Sequence, residues 1–202
     1  MHRFWTALLG VLLLALLIPG NASAATISIQ ELNYIFAPQK VQARLGDTLS
    51  WIDEVMTSPH TSTADDPLVL WDSGPKNFGE TFEYTFTAAG TYSYECTLHT
   101  RYGMFGRVAV RDGISPPSGP PGTQFTITVG TTGAPTGLVY DIQKKDPGGK
   151  FHDWMTDVTT LSVTFDSTGL PAGTYQFRSR LRQTSDNAAI GYSPPASLSV
   201  TA

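Results

Sequence analysis

The chain has 202 residues, of which 41% are hydrophobic, 11% aromatic and only 15% charged, with a formal charge of −4. So aromatic a chain with so small a net charge is not disordered, and no excess of cations calls for nucleic acid. A single cysteine excludes a disulfide framework and any cysteine-rich zinc site.

Residues 1–24 read as an export signal. Arg3 supplies the positive start, Leu8 to Ile18 is an apolar run, Pro19-Gly20 ends it, and Ala22-Ser23-Ala24 has the small-x-small form of a cleavage site. The run is shorter than the roughly 18–20 residues a spanning helix needs, so the mature chain is expected to carry no integral membrane span; an uncleaved N-terminal anchor is the other reading. The expected location is periplasmic, extracellular or cell-surface. Unpaired thiols are liabilities there. Cys96 should therefore be buried and inert, paired to another chain, or held by a metal.

From Ala25 onward the hydrophobic period is two. Ile27 and Ile29, then Val41, Ala43 and Leu45, then Leu49 and Trp51 alternate with polar residues, with a turn at Gly46-Asp47. Phe82, Tyr84 and Phe86 follow, then Tyr92, Tyr94 and Cys96 on one face, then Val108 and Val110. Such alternation between turn residues marks half-buried antiparallel strands, and no amphipathic helix competes. The first unit, 25–112, is expected to be an all-β sandwich or barrel. Residues 113–122, with Pro116, Pro117, Pro120 and Pro121 among Ser and Gly, read as a short stiff linker. The period of two returns over 123–202 at Phe125, Ile127 and Val129, at Leu161, Val163 and Phe165, at Tyr175 and Phe177, and at Leu198 and Val200, predicting a smaller β-sandwich.

The residues that carry chemistry cluster late in the first unit. His99 follows Cys96 by three positions and Met104 comes five later, so Cys and His end one strand while Met begins the next. A tight loop between paired strands brings such ends together. His60, after Pro59, lies at the far end of the strand containing Trp51, which a sandwich can bring to the same pole. One thiolate, two imidazoles and a weak thioether suit a trigonal copper site with a distant axial Met; zinc prefers four firm ligands. Taken singly, each residue has a plainer reading: a buried thiol, a loop histidine, a packing methionine. Their joint arrangement is what points to copper.

These residues resemble those of the cupredoxins, particularly the plastocyanin/pseudoazurin-like small blue copper proteins. The resemblance runs from about Ala25 to Asp112 and rests on Pro59-His60-Thr61, Trp71-Asp72-Ser73-Gly74, Phe82-Glu83-Tyr84-Thr85-Phe86, Gly90-Thr91-Tyr92-Ser93-Tyr94 and Cys96-x2-His99-x4-Met104-x-Gly106. It implies a Greek-key sandwich holding one type 1 copper, with His60, Cys96 and His99 as equatorial ligands and Met104 axial. It further implies that His99 exposes a ring edge to redox partner proteins, with Tyr102, Phe105, Pro59 and Met56 nearby and Arg101 able to steer an acidic partner. Two positions depart from the family pattern. Glu95 stands where plant members place a Tyr, and Thr61 replaces an Asn whose hydrogen bond supports the Cys loop. The Pro171–Arg178 and Tyr192–Thr201 stretches resemble late strands of a fibronectin type III or related immunoglobulin-like module.

Little else suggests catalysis. No nucleophile elbow, phosphate loop or nucleotide fingerprint occurs, and the three histidines beyond the export signal (His60, His99 and His152) cannot supply further copper centres. Asp53-Glu54 and Asp65-Asp66 read as solvated loop charge. His152-Asp153 near Asp157 reads as a polar strand edge or a weak second metal site. Arg178, Arg180 and Arg182 share one strand face, as solvated decoration or as a docking stripe for an acidic partner or an anionic wall polymer. The expected function is one-electron transfer without a catalytic centre; the alternatives are a copper scavenger or carrier, and a surface adhesion protein with an incidental copper site.

Overall fold

The computed structural model describes residues 23–202, so all but the last two residues of the expected export signal lie outside the described residues. Among the described residues no helix is long and apolar enough to cross a membrane. Apart from a single 3₁₀ turn, the regular structure there is β.

In the N-terminal half the alternating segments become β1 (Thr26–Leu32), β2 (Ile35–Ala37), β3 (Lys40–Arg44), β4 (Thr48–Asp53), β5 (Thr63–Ala64), β6 (Thr81–Thr85), β7 (Gly90–Glu95) and β8 (Phe105–Arg111). They form two four-stranded sheets, ordered β2-β1-β4-β6 and β3-β8-β7-β5. Parallel pairs (β1 with β4, β3 with β8) combine with antiparallel ones, so the chain crosses repeatedly between the sheets. Ile29, Leu49 and Trp51 of one sheet and Tyr92, Tyr94, Val108 and Val110 of the other are buried to within 1% exposure. Each such side chain contributes roughly 1.5–3 kcal/mol by leaving water, which makes this interior the frame for the loops at its end.

Rings fill the frame. Trp51 meets Tyr94 edge-on at 5.4 Å between centroids and stacks near Trp71 at 6.0 Å; Phe36 meets Tyr94 at 4.7 Å. Gly106 lies under this cluster, where a β-carbon would fall inside the Tyr94 ring. Beneath the loop carrying His60, Lys76 is buried with its Nζ 3.0 Å from Glu31 Oε1 and 3.1 Å from Ser73 Oγ. Burial pushes the Glu31 carboxyl up while Lys76 pulls it back. Nothing in the local sequence announces this pair, because its members are 45 residues apart.

The C-terminal half consists of β9 (Gly113–Ser115), β10 (Ser118–Gly119), β11 (Gln124–Thr128), β12 (Leu138–Lys145), β13 (Phe151–Val158), β14 (Ser162–Asp166), β15 (Gly173–Gln183) and β16 (Ala196–Val200), in sheets ordered β14-β11-β9 and β10-β16-β15-β12-β13. The stretch expected to be a linker is woven into these sheets: β9 pairs with β11, and β10 pairs with β16. Its prolines shorten the strands without preventing pairing. Strand β12 escapes the alternation rule because it is central, with Val139, Tyr140, Asp141 and Ile142 all buried, and its register slips against β13 at Tyr140/Ile142. β13 escapes for the opposite reason, being a largely exposed edge.

The arginine row of β15 is neither solvated decoration nor a free stripe. Arg182 binds Asp141 and Asp157, Arg180 approaches Asp141, and Arg178 donates to Gln143. The guanidinium groups of Arg178 and Arg180 lie 4.8 and 4.6 Å from the Tyr192 ring centroid. The second metal site also fails to assemble, since Asp153 is taken by Gln143, Asp157 by Arg182, and His152 faces Asp146 at 3.8 Å.

The halves are joined by backbone. Ala89 N–H donates to Val129 C=O, Thr131 to Thr87, and Thr91 and Gly191 exchange both bonds. Asp112 sits at this seam, 5% exposed, accepting from the hydroxyls of Ser179 and Ser193. Burial pushes its carboxyl up to about 7, against the pull of the two serines. The folded state therefore holds a proton that the unfolded chain releases near pH 4, so Asp112 makes the fold progressively less stable as pH rises from about 4 to about 7. Asp112→Asn is expected to remove this loss: thermal melts should show the variant gaining stability over the parent at pH 8 but not at pH 4. For Gly106→Ala, melting should report a loss of about 1–3 kcal/mol, because Tyr94 has no room to withdraw.

Candidate metal centre

One pole of the N-terminal sandwich gathers the predicted residues. β7 ends at Glu95, and the loop from Cys96 to Met104 is closed by the Cys96 N–H donating to the Met104 carbonyl at 3.0 Å. Inside it a 3₁₀ turn, Thr100–Tyr102, is terminated by Gly103 in the left-handed region (φ 76°), which lets the chain double back into β8. The loop carrying His60 is held by two backbone bonds with Lys76, at 3.0 and 2.8 Å.

Cys96 and Met104 are wholly buried and His60 is 1% exposed. Cys96 Sγ lies 3.4 Å from His99 Nδ1 and accepts the Thr61 N–H at 3.3 Å. The two imidazole centroids are 4.8 Å apart. Thr61 does what the Asn of the family pattern was expected to do: its Oγ1 accepts the Thr97 N–H at 2.8 Å, so the Cys loop is still supported from the His60 loop.

Each imidazole is held by one nitrogen. His60 Nδ1 lies 3.2 Å from Asp53 Oδ1, and Asp53 Oδ2 also accepts the His60 N–H. His60 Nε2 is left buried with no partner. His99 Nε2 lies 3.1 Å from Ser58 Oγ, leaving Nδ1 beside the thiol. A carboxylate or hydroxyl on one ring nitrogen fixes the tautomer that frees the other for a metal. Burial, with His60 and Arg101 nearby, holds His99 below the ordinary histidine range and so keeps it in the neutral form that binding needs. This donor set, with its orphaned buried nitrogen, fits copper better than zinc. The donors are not drawn into a cage, however: among the described residues no three His, Cys, Asp or Glu side chains form a group spaced to hold a metal ion.

Sequence reasoning overlooked three side chains here. Asp53 was read as solvated loop charge, yet it is wholly buried on His60. Ser58 lay unremarked beside Pro59. Tyr34, at the tip of the β1–β2 hairpin with φ 62°, stacks on Tyr102 at 4.2 Å and meets His99 edge-on at 4.9 Å. That ring explains a departure from the expected exposed gate: His99 is only 8% exposed, whereas Tyr34, Tyr102 and Phe105 are each more than 40% exposed. Met56 covers nothing, at 81% exposed. No local signal marks Asp53 at the end of β4, Ser58 in the connection that follows, or Tyr34 at a hairpin tip.

The fold and these donors describe a β-sandwich with a candidate metal pole. Residues 23–111 match the family model of copper binding proteins, plastocyanin/azurin family. The plastocyanin of Scenedesmus fuscus is 28% identical over 86 residues, covering 38% of this chain and 87% of that protein. Among solved structures, an oxidised methionine variant of amicyanin is 25% identical with a TM-score of 0.38, covering 42% of this chain and 80% of its own. A copper-containing nitrite reductase of Thermus scotoductus is 22% identical with a TM-score of 0.40, covering 43% of this chain and 22% of its own. Over residues 23–111 the chain is thus similar to the cupredoxins, a family of copper-binding proteins.

Two variants probe the pole. Tyr34→Ala should return the His99 pKa toward the ordinary range, since a desolvating ring is lost; NMR titration of the ring protons of the metal-free chain reads this directly. Thr61→Val should cost about 0.5–1.5 kcal/mol in chemical denaturation, because the Thr97 amide loses its acceptor.

Proposed function

We propose that the chain is an exported one-electron carrier, without a catalytic centre of its own, that holds one copper ion through His60, Cys96, His99 and Met104. The observation that carries this reading is a buried thiol, an imidazole nitrogen 3.4 Å from it, and a second imidazole ring 4.8 Å from the first whose buried Nε2 has no partner. Bound copper would supply a centre that cycles between Cu(II) and Cu(I). The protein's part is to limit rearrangement between the two states. Asp53 and Ser58 fix the rings, the Thr61 amide holds the sulfur, and the bond from Cys96 to the Met104 carbonyl sets the loop length.

The same pole supplies the docking patch for a redox partner protein. Tyr34, Ile35, Leu98, Tyr102 and Phe105 are exposed apolar residues around His99, and short-lived redox encounters need only a small interface. In this reading the rings of Tyr34 and Tyr102, rather than a bare edge of His99, form the contact. The C-terminal half is an immunoglobulin-like or fibronectin III-like module. Support comes from its three-stranded and larger sheets and from Tyr175, whose hydroxyl donates to the Pro171 carbonyl four residues upstream at the start of a late strand. Export is supported by the apolar run and cleavage pattern of residues 1–24.

Absorption and EPR spectra of the copper-loaded chain test the centre. The expected result is an intense thiolate-to-copper band that bleaches reversibly with mild reductant; copper bound without such cycling would instead indicate a carrier, and no copper binding an adhesion protein. Cys96→Ser should abolish the band, whereas Met104→Gln should keep the copper and lower the reduction potential. Asp53→Asn should weaken copper binding by about 10–100-fold in a chelator competition, because the His60 ring loses its charged anchor.

A further inference from the structure

Two adjacent strands repeat one five-residue pattern. β3 reads Lys40-Val41-Gln42-Ala43-Arg44 and β8 contains Arg107-Val108-Ala109-Val110-Arg111, each a cation, an apolar residue, a neutral residue, an apolar residue and a cation. Their parallel pairing puts the patterns in register, Lys40 beside Arg107, Gln42 beside Ala109 and Arg44 beside Arg111. Val41, Ala43, Val108 and Val110 point into the core, so the four cations share the outer face and are exposed. Two cation pairs thus bracket a neutral row at a separation of about 13 Å, four residues of strand. β7 extends that row with Thr91, which is opposite Ala109.

The face is not an open plane. The segment Tyr192–Pro194 of the C-terminal half stands over it, fixed by the exchanged bonds between Thr91 and Gly191 and by Thr91 Oγ1 donating to the Tyr192 carbonyl at 2.8 Å. This leaves a cavity of about 330 Å³ between Lys40, Arg107 and Tyr192, and a second of about 500 Å³ between Arg44, Arg111 and Pro194. Gln42 and Pro194 line both, which makes one groove with a cation pair at each end.

The charge of this groove is uncompensated within the described residues. None of Lys40, Arg44, Arg107 or Arg111 makes a salt bridge, whereas Arg180 and Arg182 on β15 both do. The acidic groups near its Arg44–Arg111 end are otherwise engaged: Asp47 accepts the amides of Ala25 and Arg44, and Asp112 is buried on two serines. In a chain of net charge −4, four unpaired cations gathered on one face form a site for negative charge.

We propose that this groove binds an extended acidic segment of a partner protein, with carboxylates at positions i and i+4 engaging the Lys40–Arg107 and Arg44–Arg111 pairs. An extended peptide has the same rise per residue as the strands beneath it, so side chains four apart on one face match the two cation pairs without adjustment. The exposed Gln42 amide lines the middle, where it can bond the main chain of such a segment. Lys40 and Arg44 lie on an edge strand, so nothing in the sheet blocks approach from that side. The site is independent of the metal pole, and copper-loaded and copper-free protein should bind alike.

The probe is a capped Ser/Thr/Val peptide with Asp at its third and seventh positions, titrated into isotopically labelled protein and followed by NMR. Amide shifts should be confined to residues 40–44, 91, 107–111 and 191–194, and binding should vanish at about 1 M salt, where the screening length is about 3 Å. The paired charge reversals Lys40→Glu/Arg107→Glu and Arg44→Glu/Arg111→Glu should each weaken binding at least about tenfold, about 1.4 kcal/mol. The neutral variant Lys40→Gln/Arg107→Gln, checked by its melting temperature, guards against a folding defect. Equal binding of a peptide with adjacent aspartates, binding that survives charge reversal, or preference for a polyuronate oligomer would each overturn the proposal.

Discussion

Everything at the metal pole depends on one clasp between loops that are 35 residues apart. The Thr61 N–H reaches the Cys96 sulfur while the Thr61 hydroxyl receives the Thr97 N–H, so one residue holds both the thiol and the backbone that follows it. Together with the Ser58–His99 contact it ties the His60 loop to the Cys96 loop beside the donors. The clasp is possible because the aromatic interior of Trp51, Trp71 and Tyr94 fixes the spacing of the sheets just below. Packing sets the distance, and a few directed hydrogen bonds then set the angles.

Around the clasp, polar groups are spent on orientation. His60 and His99 each give up one ring nitrogen, to Asp53 and Ser58, so that the other is presented in a defined tautomer. The buried Lys76–Glu31 pair performs a related task one layer down, where Lys76 also supplies the backbone partners of His60. Replacing such a pair by apolar residues need not cost stability. Its position under the His60 loop accounts for it better than a stabilising role would.

The legibility of this fold in its sequence follows the range of the interactions involved. Cys96, His99 and Met104 were legible because they lie within one short loop whose ends are forced together by strand pairing. β3, β4, β6 and β7 were legible because each shows one face to water. β12 was not, since a central strand buries both faces, and neither was the pairing of residues 113–119, whose prolines imitate a linker. Asp53 beside Glu54 looked like ordinary loop charge, and only the return of the chain seven residues later at His60 makes it a buried anchor. Tyr34 likewise gains its role from a hairpin tip that sequence periodicity does not describe. The cation pattern of β3 and β8 was present to be read, but its meaning needed the parallel register that sets one copy beside the other.

The seam between the halves has a mechanical consequence. Because strand-type bonds at Ala89, Thr91 and Thr131 and the buried carboxylate of Asp112 take the place of a swinging tether, the two halves form a single lever arm. Anything that grips the far half also dictates the heading of the donor pole, and it does so without a search through orientations.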